Sequence, residues 1–577
     1  MLSQDISQNA AARDPQSEAP APVAVTSSEQ LSIKVERVAS RKDDWLAVTL
    51  ASRIVYLRRA LDGVVAVAER WVEDGCRLKG ISPGSPLAGE EWVAGPAATA
   101  RNIRLLIHAL DHGGQPPPRA VRARKDGQLV AKVFPLGIHD RLLFTGFDAE
   151  VWISPGKPAT QGQIYRASAA ERVGKVALVL GGGNVSSIPP MDLLYKLFVE
   201  NEVVILKMNP VNAYLGAYIE EAFRSLIDDG FLAVIYGGAD VGARLAEDPR
   251  IGTLHVTGSD RTYDAIVWGA DPGEQARRKQ ANDPKNSRPF SAELGCVTPI
   301  LVVPGPWSAA DMDFQARQVA SMVAQNASFN CNAAKVLVTA KGWLQRDVFL
   351  EKVARVLSET PARKAYYPGA QDRYRKFIEH YSKARVVGPP AEGAVPWTVI
   401  PDVPSDVGEY ALSHEAFCGV LAEVTLDATH PDEFLSRGVD FANERCWGTL
   451  SCGVLVHPAT MRDYPDAMDT AIANLRYGGI GINCWPAVVY ALGTTTWGAF
   501  PGHDARDIRS GVGVVHNALL FDHPQKSVVR APFRIRPTPA WFADNKNLAE
   551  TGRRLTRYEQ TPSWANLMSV AAAALRG

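Results

Sequence analysis

Cysteine is scarce in this chain: there are seven in 577 residues, an odd number with no CxxC pair. That excludes a disulfide framework and points to reduced thiols and a cytoplasmic setting. An excess of positive charge is missing as well, since Lys+Arg and Asp+Glu are 62 each and the formal net charge is zero. A nucleic-acid binder has phosphates to neutralise, so no nucleic-acid partner is expected. The short basic run from Arg119 to Lys125 reads as a solvated hairpin flank. No apolar stretch reaches the roughly 18 uninterrupted residues that cross a bilayer, so no membrane span is expected. The opening MLSQDISQNAAARDPQSEAPAPVAV has neither a basic nor a long apolar region, and reads as a flexible tail over residues 1–31 rather than a signal peptide. What is present is ordinary globular composition, 46% hydrophobic and 21% charged. A chain of this length exceeds one hydrophobic core and predicts two or three domains.

From Asp43 to about His112 the apolar residues Leu46, Leu50, Ile54, Leu57, Leu61 and Val64 recur at helical spacing, interrupted by GISPGSPLAG. After the linker QPPPRAV, residues 127–156 hold short β-rich runs between Gly, Pro and Asp, which predict strands or a long hairpin. The middle of the chain alternates. VALVL (176–180), VVIL (203–206), LAVIYG (232–237) and TLHVTG (253–258) are separated by helix-length segments, the pattern of a parallel, doubly wound sheet. A second α/β series starts at PILVVPG (299–305) and runs through KVLVTA (335–340) to a helix ending near Leu357.

Two motifs are decoys. Gly80-Ile81-Ser82-Pro83-Gly84 matches the hydrolase elbow GxSxG, but the prolines after Ser82 cannot start the helix that an elbow needs, so it reads as a turn. His108 and His112 have zinc-ligand spacing without the Glu of HExxH, and no catalytic metal is expected. The Gly181-Gly182-Gly183 turn after VALVL lacks the GK[ST] of a P-loop and matches GxGxxG only in part.

In sequence order, the motifs from Val176 to about Asn483 resemble the aldehyde dehydrogenase superfamily. GGGNVSSIPP is similar to the turn that carries an oxyanion-binding Asn, which implies that role for Asn184. ILKMNP implies Lys207 at the adenine ribose; YGGADVGARL followed by EDPRIGTLHVTGSD implies Gly242, Gly258 and Ser259 near the pyrophosphate. SAELGCVTPILV resembles ELGGxxPxxV, with Glu293 as general base, and NASFNCNAAKVLV resembles the nucleophile segment, with Cys331. HEAFCGVLAEV is similar to ExFGPVLxV and implies Glu415 at the nicotinamide ribose with Phe417 beside it, while GINCWPA resembles a strand near the substrate. The resemblance implies an α/β fold with a Rossmann-type NAD(P)-binding domain, a second α/β catalytic domain and a small β oligomerisation element. The expected boundaries are 32–290 for the N-terminal helices, β element and cofactor domain, 291–465 for the catalytic domain, and 466–577 for the C-terminal return.

The implied chemistry suits these residue types. A thiolate adds to an aldehyde carbonyl, an amide and a backbone N–H hold the oxyanion, hydride passes to NAD or NADP, and a carboxylate activates the water that releases the acid. Cys296 in ELGC, the segment FNCN, FCGV without its proline, Pro210 three residues after Lys207, and Tyr263 in place of a Gly all depart from the family pattern. Cys296 and the remaining cysteines read as core thiols. Long-chain acyl reductases of bacterial bioluminescence share the look of residues 181–210, so an acylating dehydrogenase or acyl-thioester reductase is the alternative; a catalytically inactive binding protein is another. The carboxylate at 293 favours hydrolysis. Trp485, Tyr490 and Trp497 suggest an apolar pocket for a bulky or aliphatic aldehyde. In the resembled family a C-terminal strand crosses to a partner's sheet, and SVVRAPFRIRP (527–537) has that look, which implies a homodimer or homotetramer.

Overall fold

The runs in the middle of the chain are apolar at every position rather than at alternate ones, so their strands have no wet face and need helices on both sides. The computed structural model, which describes residues 23–168 and 172–577, shows this arrangement. Val176–Leu180, Val203–Lys207 and Leu232–Ile235 are buried along their whole length. They lie in a six-stranded sheet ordered Gly511–Val512, Phe290–Leu294, Thr253–Gly258, Val176–Leu180, Val203–Lys207, Leu232–Ile235. All neighbours are parallel except the short Gly511–Val512. Strand order reverses on either side of Val176–Leu180, which opens a crevice at the carboxyl ends of that strand and Thr253–Gly258, where ligands bind in doubly wound sheets.

The second sheet has eleven strands. Its parallel centre runs Pro524–Arg530, Gly479–Ile482, Ser451–Leu455, Pro299–Val302, Val336–Ala340, Val420–Leu426, Thr398–Ile400. Antiparallel Ala120–Ala123, Leu129–Phe134 and Asp148–Ile153 extend one edge, and Arg385–Val386 closes the other. Two large hydrophobic cores correspond to the two sheets.

Several boundaries differ from those expected. The division at 290/291 cuts through Phe290–Leu294, a strand of the first sheet, so the change of domain follows Leu294. The 120–153 strands, grouped above with the cofactor domain, belong to the second sheet because Asp148–Ile153 pairs with Pro524–Arg530. The division at 465/466 separates Ser451–Leu455 from its neighbour Gly479–Ile482. The strand expected to cross to a partner pairs within its own chain, between Gly479–Ile482 and Asp148–Ile153, and it ends at Arg530 rather than running to 537. Both of its edges are filled in cis, which removes the argument for an oligomer that rested on it.

Of the expected tail, residues 1–22 lie outside the described residues. The rest is built in: Ser27 and Gln30 form a capping box that starts the helix Ser28–Ser40, and Thr26 exchanges hydrogen bonds with Tyr236 at the edge of the first sheet. The GxSxG match is the end of the helix Leu50–Lys79, with Gly80 in the left-handed conformation at its C-cap. The rings of His108 and His112 lie 4.4 Å apart, tilted by 56°, and among the described residues no group of three His, Cys, Asp or Glu is placed to hold a metal.

Candidate active site

The helix Ala309–Ala324 ends against an unusual turn. Asn326, Ala327 and Ser328 all have left-handed backbone, with φ of 54°, 54° and 70°, a conformation that costs a non-glycine residue roughly 1–2 kcal/mol. Three such residues in a row need external support. Asn326 supplies much of it: its N–H donates to Glu90 Oε2 (3.1 Å), and its amide donates to the carbonyls of Asn184 (3.0 Å) and Phe329 (3.1 Å). Glu90 is in turn gripped by both ends of the buried Arg363 guanidinium, at 3.1 and 2.9 Å. Phe329 fills the space below, packed against Tyr366, Tyr367 and Phe417. The turn delivers Cys331, which is partly exposed while the other six cysteines are buried.

Asn184 is tied to the same turn. Its amide donates to Phe329 O at 2.9 Å, and its own carbonyl accepts from Asn326, from Tyr366 at 3.0 Å and from Lys79 at 3.3 Å. An amide has two N–H groups, so one remains for a ligand. Lys79 is itself paired with Glu91 at 2.6 Å, both buried.

Glu293, the fourth residue of Phe290–Leu294, is 1% exposed, and its Oε1 has no hydrogen-bond partner in the protein among the described residues. Burial pushes its carboxyl up to about 8, with Asp192 and Glu415 adding to the rise and the adjoining Cys331 thiol and Trp497 indole opposing it. Cys331 is pushed well above the usual thiol range, by burial first and then by Glu293 and Glu415, while Lys335 opposes. Glu293 and Cys331 come from different sheets and meet at the cleft.

Glu415 accepts from Lys335 Nζ at 3.1 Å and, more weakly, from Cys296 N at 3.4 Å. Phe417 has φ 42° and packs against Tyr367 at 5.1 Å, with Arg373 over its ring. Cys296 is a core residue: its Sγ accepts from Thr298 N and lies 3.7 Å from Ser451 O. Opposite it Gly448, at φ 93°, supplies the missing volume, because a Cβ there would come within 3.1 Å of that sulfur. Of the three late aromatics, Trp497 lies near Glu293 with its Nε1 unpartnered among the described residues, Trp485 braces the turn by donating to Asn332 O at 2.8 Å, and the Tyr490 hydroxyl meets Ser187 at 2.7 Å.

On the cofactor side, Lys207 ends Val203–Lys207 and is buried; burial lowers its pKa and Asp240 opposes. Ser259 caps the helix Asp260–Trp268 through Thr262 N, and Gly258 ends the strand before it. Gly242 faces the crevice, where a Cβ would meet only Leu180 Cδ2 at 3.8 Å, so the chain itself leaves room there. Tyr263 fills its glycine position by packing on Phe290 at 4.7 Å. Glu220 and Glu221 are engaged elsewhere, with Tyr236 and Arg70.

Sequence reasoning missed Lys335, Asp192, Asp240 and the buried pairs Lys79–Glu91 and Arg363–Glu90. For Lys335 a signal existed: it is a lysine directly preceding the buried strand Val336–Ala340. The Arg363–Glu90 pair joins residues 273 apart and leaves no local signature, while Lys79 and Glu91 are 12 apart, on either side of the turn that follows Lys79.

Residues 191–371 match the model of the aldehyde dehydrogenase family. Over that segment, about a third of its length, the chain is similar to that family. The matched segment holds Lys207, Gly242, Gly258, Ser259, Glu293 and Cys331, whereas Asn184, Glu415 and Phe417 lie outside it. No curated protein matches the chain by sequence. Among solved structures, the P. syringae indole-3-acetaldehyde dehydrogenase, crystallised with NAD+ as a cysteine-to-alanine variant, is 18% identical, with a TM-score of 0.61 over 88% of this chain and 90% of that one. The aldehyde dehydrogenase KauB from Pseudomonas aeruginosa gives the same figures, 18%, 0.61, 88% and 90%. An aldehyde dehydrogenase from Mycobacterium tuberculosis, complexed with NAD+, is 16% identical, with a TM-score of 0.60 over 90% of this chain and 92% of that one. At such identities the likeness speaks for the fold: the α/β architecture with its Rossmann-type and catalytic sheets is that of aldehyde dehydrogenases.

Proposed function

We propose that the protein oxidises an aldehyde to a carboxylic acid through a covalent intermediate on Cys331, with NAD or NADP as hydride acceptor. The observation that carries this is the meeting of a partly exposed thiol, a buried carboxyl and a tethered amide at one cleft. Glu293 takes the thiol proton, and the thiolate adds to the aldehyde carbon. The free N–H of Asn184 and the backbone N–H of Cys331 hold the oxyanion of the thiohemiacetal. A nicotinamide dinucleotide held in the cleft would supply the hydride acceptor, and loss of hydride from the thiohemiacetal carbon leaves a thioester at Cys331. Glu293 releases the proton it took from the thiol to solvent, then removes a proton from the attacking water and returns it to the Cys331 sulfur as the C–S bond breaks, so the acid leaves with the thiol restored. A base beside the thioester favours release to water over transfer to another thiol.

The crevice suits a dinucleotide. Lys207, Gly242, Gly258 and Ser259 line the carboxyl ends of the strands at the reversal of strand order, and Glu415 and Phe417 stand beside the nucleophile turn. Pro210 removes one carboxylate from the adenosine end, but Asp240 near Lys207 supplies another. Seven free thiols suit a reducing compartment, which we read as the cytoplasm.

Cys331→Ser should abolish NAD(P)H production from a panel of C2 to C12 aldehydes while leaving dinucleotide binding intact; turnover within tenfold of the parent overturns the assignment. Glu293→Gln should give one burst of NAD(P)H and then stall. Steady turnover in that variant places the base elsewhere, and acceleration of the parent by free coenzyme A favours acyl transfer.

A further inference from the structure

Lys335 has no task in that scheme, yet it occupies the centre of the site. It lies four residues after Cys331, at the start of Val336–Ala340, with its side chain 2% exposed. Its ammonium has three N–H groups and lies within hydrogen-bonding distance of five oxygens. These are the backbone carbonyls of Cys296 (2.9 Å), Asn330 (3.0 Å), Cys331 (3.1 Å) and Ala333 (3.3 Å), and Glu415 Oε1 (3.1 Å). The acceptors come from three separate segments: the end of the base strand, the nucleophile turn, and the segment before Val420–Leu426.

We propose that Lys335 is a positioning residue that ties the Cys331 turn to the base strand and to Glu415, and that its buried positive charge favours the Cys331 thiolate. The reading rests on Cys331 as the nucleophile. Two arguments support a role for the charge as well as for the tether. First, burying an ammonium costs several kcal/mol of desolvation, and a neutral amide could donate to carbonyls at lower cost. Second, the titratable groups facing Cys331 are Glu293 from Phe290–Leu294, Glu415, Tyr490 from Ala487–Leu492, and Lys335. Three of these are acids that oppose a thiolate when ionised, and Lys335 is the cation that offsets them. The direction of its effect on the thiol agrees, since it opposes the rise caused by burial and the two carboxylates.

The test is the pH dependence of Cys331 alkylation by iodoacetamide, with the label located by peptide mapping. Lys335→Gln keeps donors but removes charge, and it should raise the midpoint by about 1 pH unit or more, the usual effect of one nearby opposite charge. Lys335→Arg restores the charge and should bring back at least half of that shift. A glutamine variant with the parent's midpoint overturns the proposal. If that variant does not fold, Glu415→Gln is compared with Glu415→Gln/Lys335→Gln, where the ion pair is removed as a unit; the double variant should show the higher midpoint, and equal midpoints overturn the proposal. Labelling of a different cysteine, or full activity in Cys331→Ser, would instead sink the functional reading on which this inference rests.

Discussion

At the scale of single residues the turn before Cys331 stores strain. Ser328 has φ 70° and is fully buried, and its hydroxyl has no partner among the described residues. Glycine has no Cβ to oppose the left-handed conformation and brings no hydroxyl to bury, though it adds freedom to the unfolded chain. Ser328→Gly should therefore stabilise the protein by about 1 kcal/mol, the left-handed penalty and the orphaned hydroxyl outweighing the entropy. Chemical denaturation checks it, and a loss of stability would show that the Ser328 side chain is packed to advantage. A second residue bears on cofactor choice. Asp240, exposed in the first turn of Ala239–Glu247, is the carboxylate that acts on Lys207. Asp240→Asn should raise kcat/KM with NADP relative to NAD by about fivefold, close to 1 kcal/mol of like-charge repulsion near the surface; an unchanged ratio would place Asp240 away from the ribose. Cys331, Glu293 and Asn184 could be proposed as candidates from the sequence because each sits in a local motif. Asp240 and the Glu90–Arg363 pair could not be: one is a surface carboxylate in a helix's first turn, like many others in the chain, and the other joins residues 273 apart.

At the scale of elements, buried strands were easy to read because burial on both faces leaves a continuous apolar run, and Thr253–Gly258 falls at the expected bounds. Pairing was harder. The β-branched run near residue 527 announces a strand but says nothing of which edge it meets, and the structure places it in the middle of a sheet in its own chain. Its Lys526 also caps the helix Pro465–Asn474, donating to the carbonyls of Ile472, Ala473 and Leu475 at 2.7, 2.8 and 3.0 Å. A chain that stops before Pro524 should therefore fail to fold, because it exposes two strand edges and opens the core, whereas a chain that stops at Thr561 loses only the helix Trp564–Ala574 and a small satellite cluster. Soluble expression and cooperative denaturation of the shorter chain would contradict the in-chain pairing.

At the scale of the whole molecule, the pKa of Glu293 is a product of assembly. The strand that carries it belongs to the first sheet, and the thiol beside it belongs to the second, so the carboxyl is buried only when the two halves are packed. Its folded pKa of about 8 lies above the ordinary 4.5. The sign follows from linkage: stability is fully present below the unfolded value and is lost as pH rises from 4.5 through about 8, because the folded state holds the proton more tightly. Glu293→Gln cannot ionise, so its stability advantage over the parent should be absent near pH 4.5, grow through that window and level off above about 8, reaching at most on the order of 5 kcal/mol. Catalysis should follow the same group in the opposite sense. Acid release needs the carboxylate, so turnover of the parent should rise about tenfold per pH unit below 8 and flatten above it. The two profiles, one from denaturation and one from kinetics, should bend at the same pH. Bends more than about one unit apart would mean that the group limiting acid release is not the buried carboxyl of Glu293.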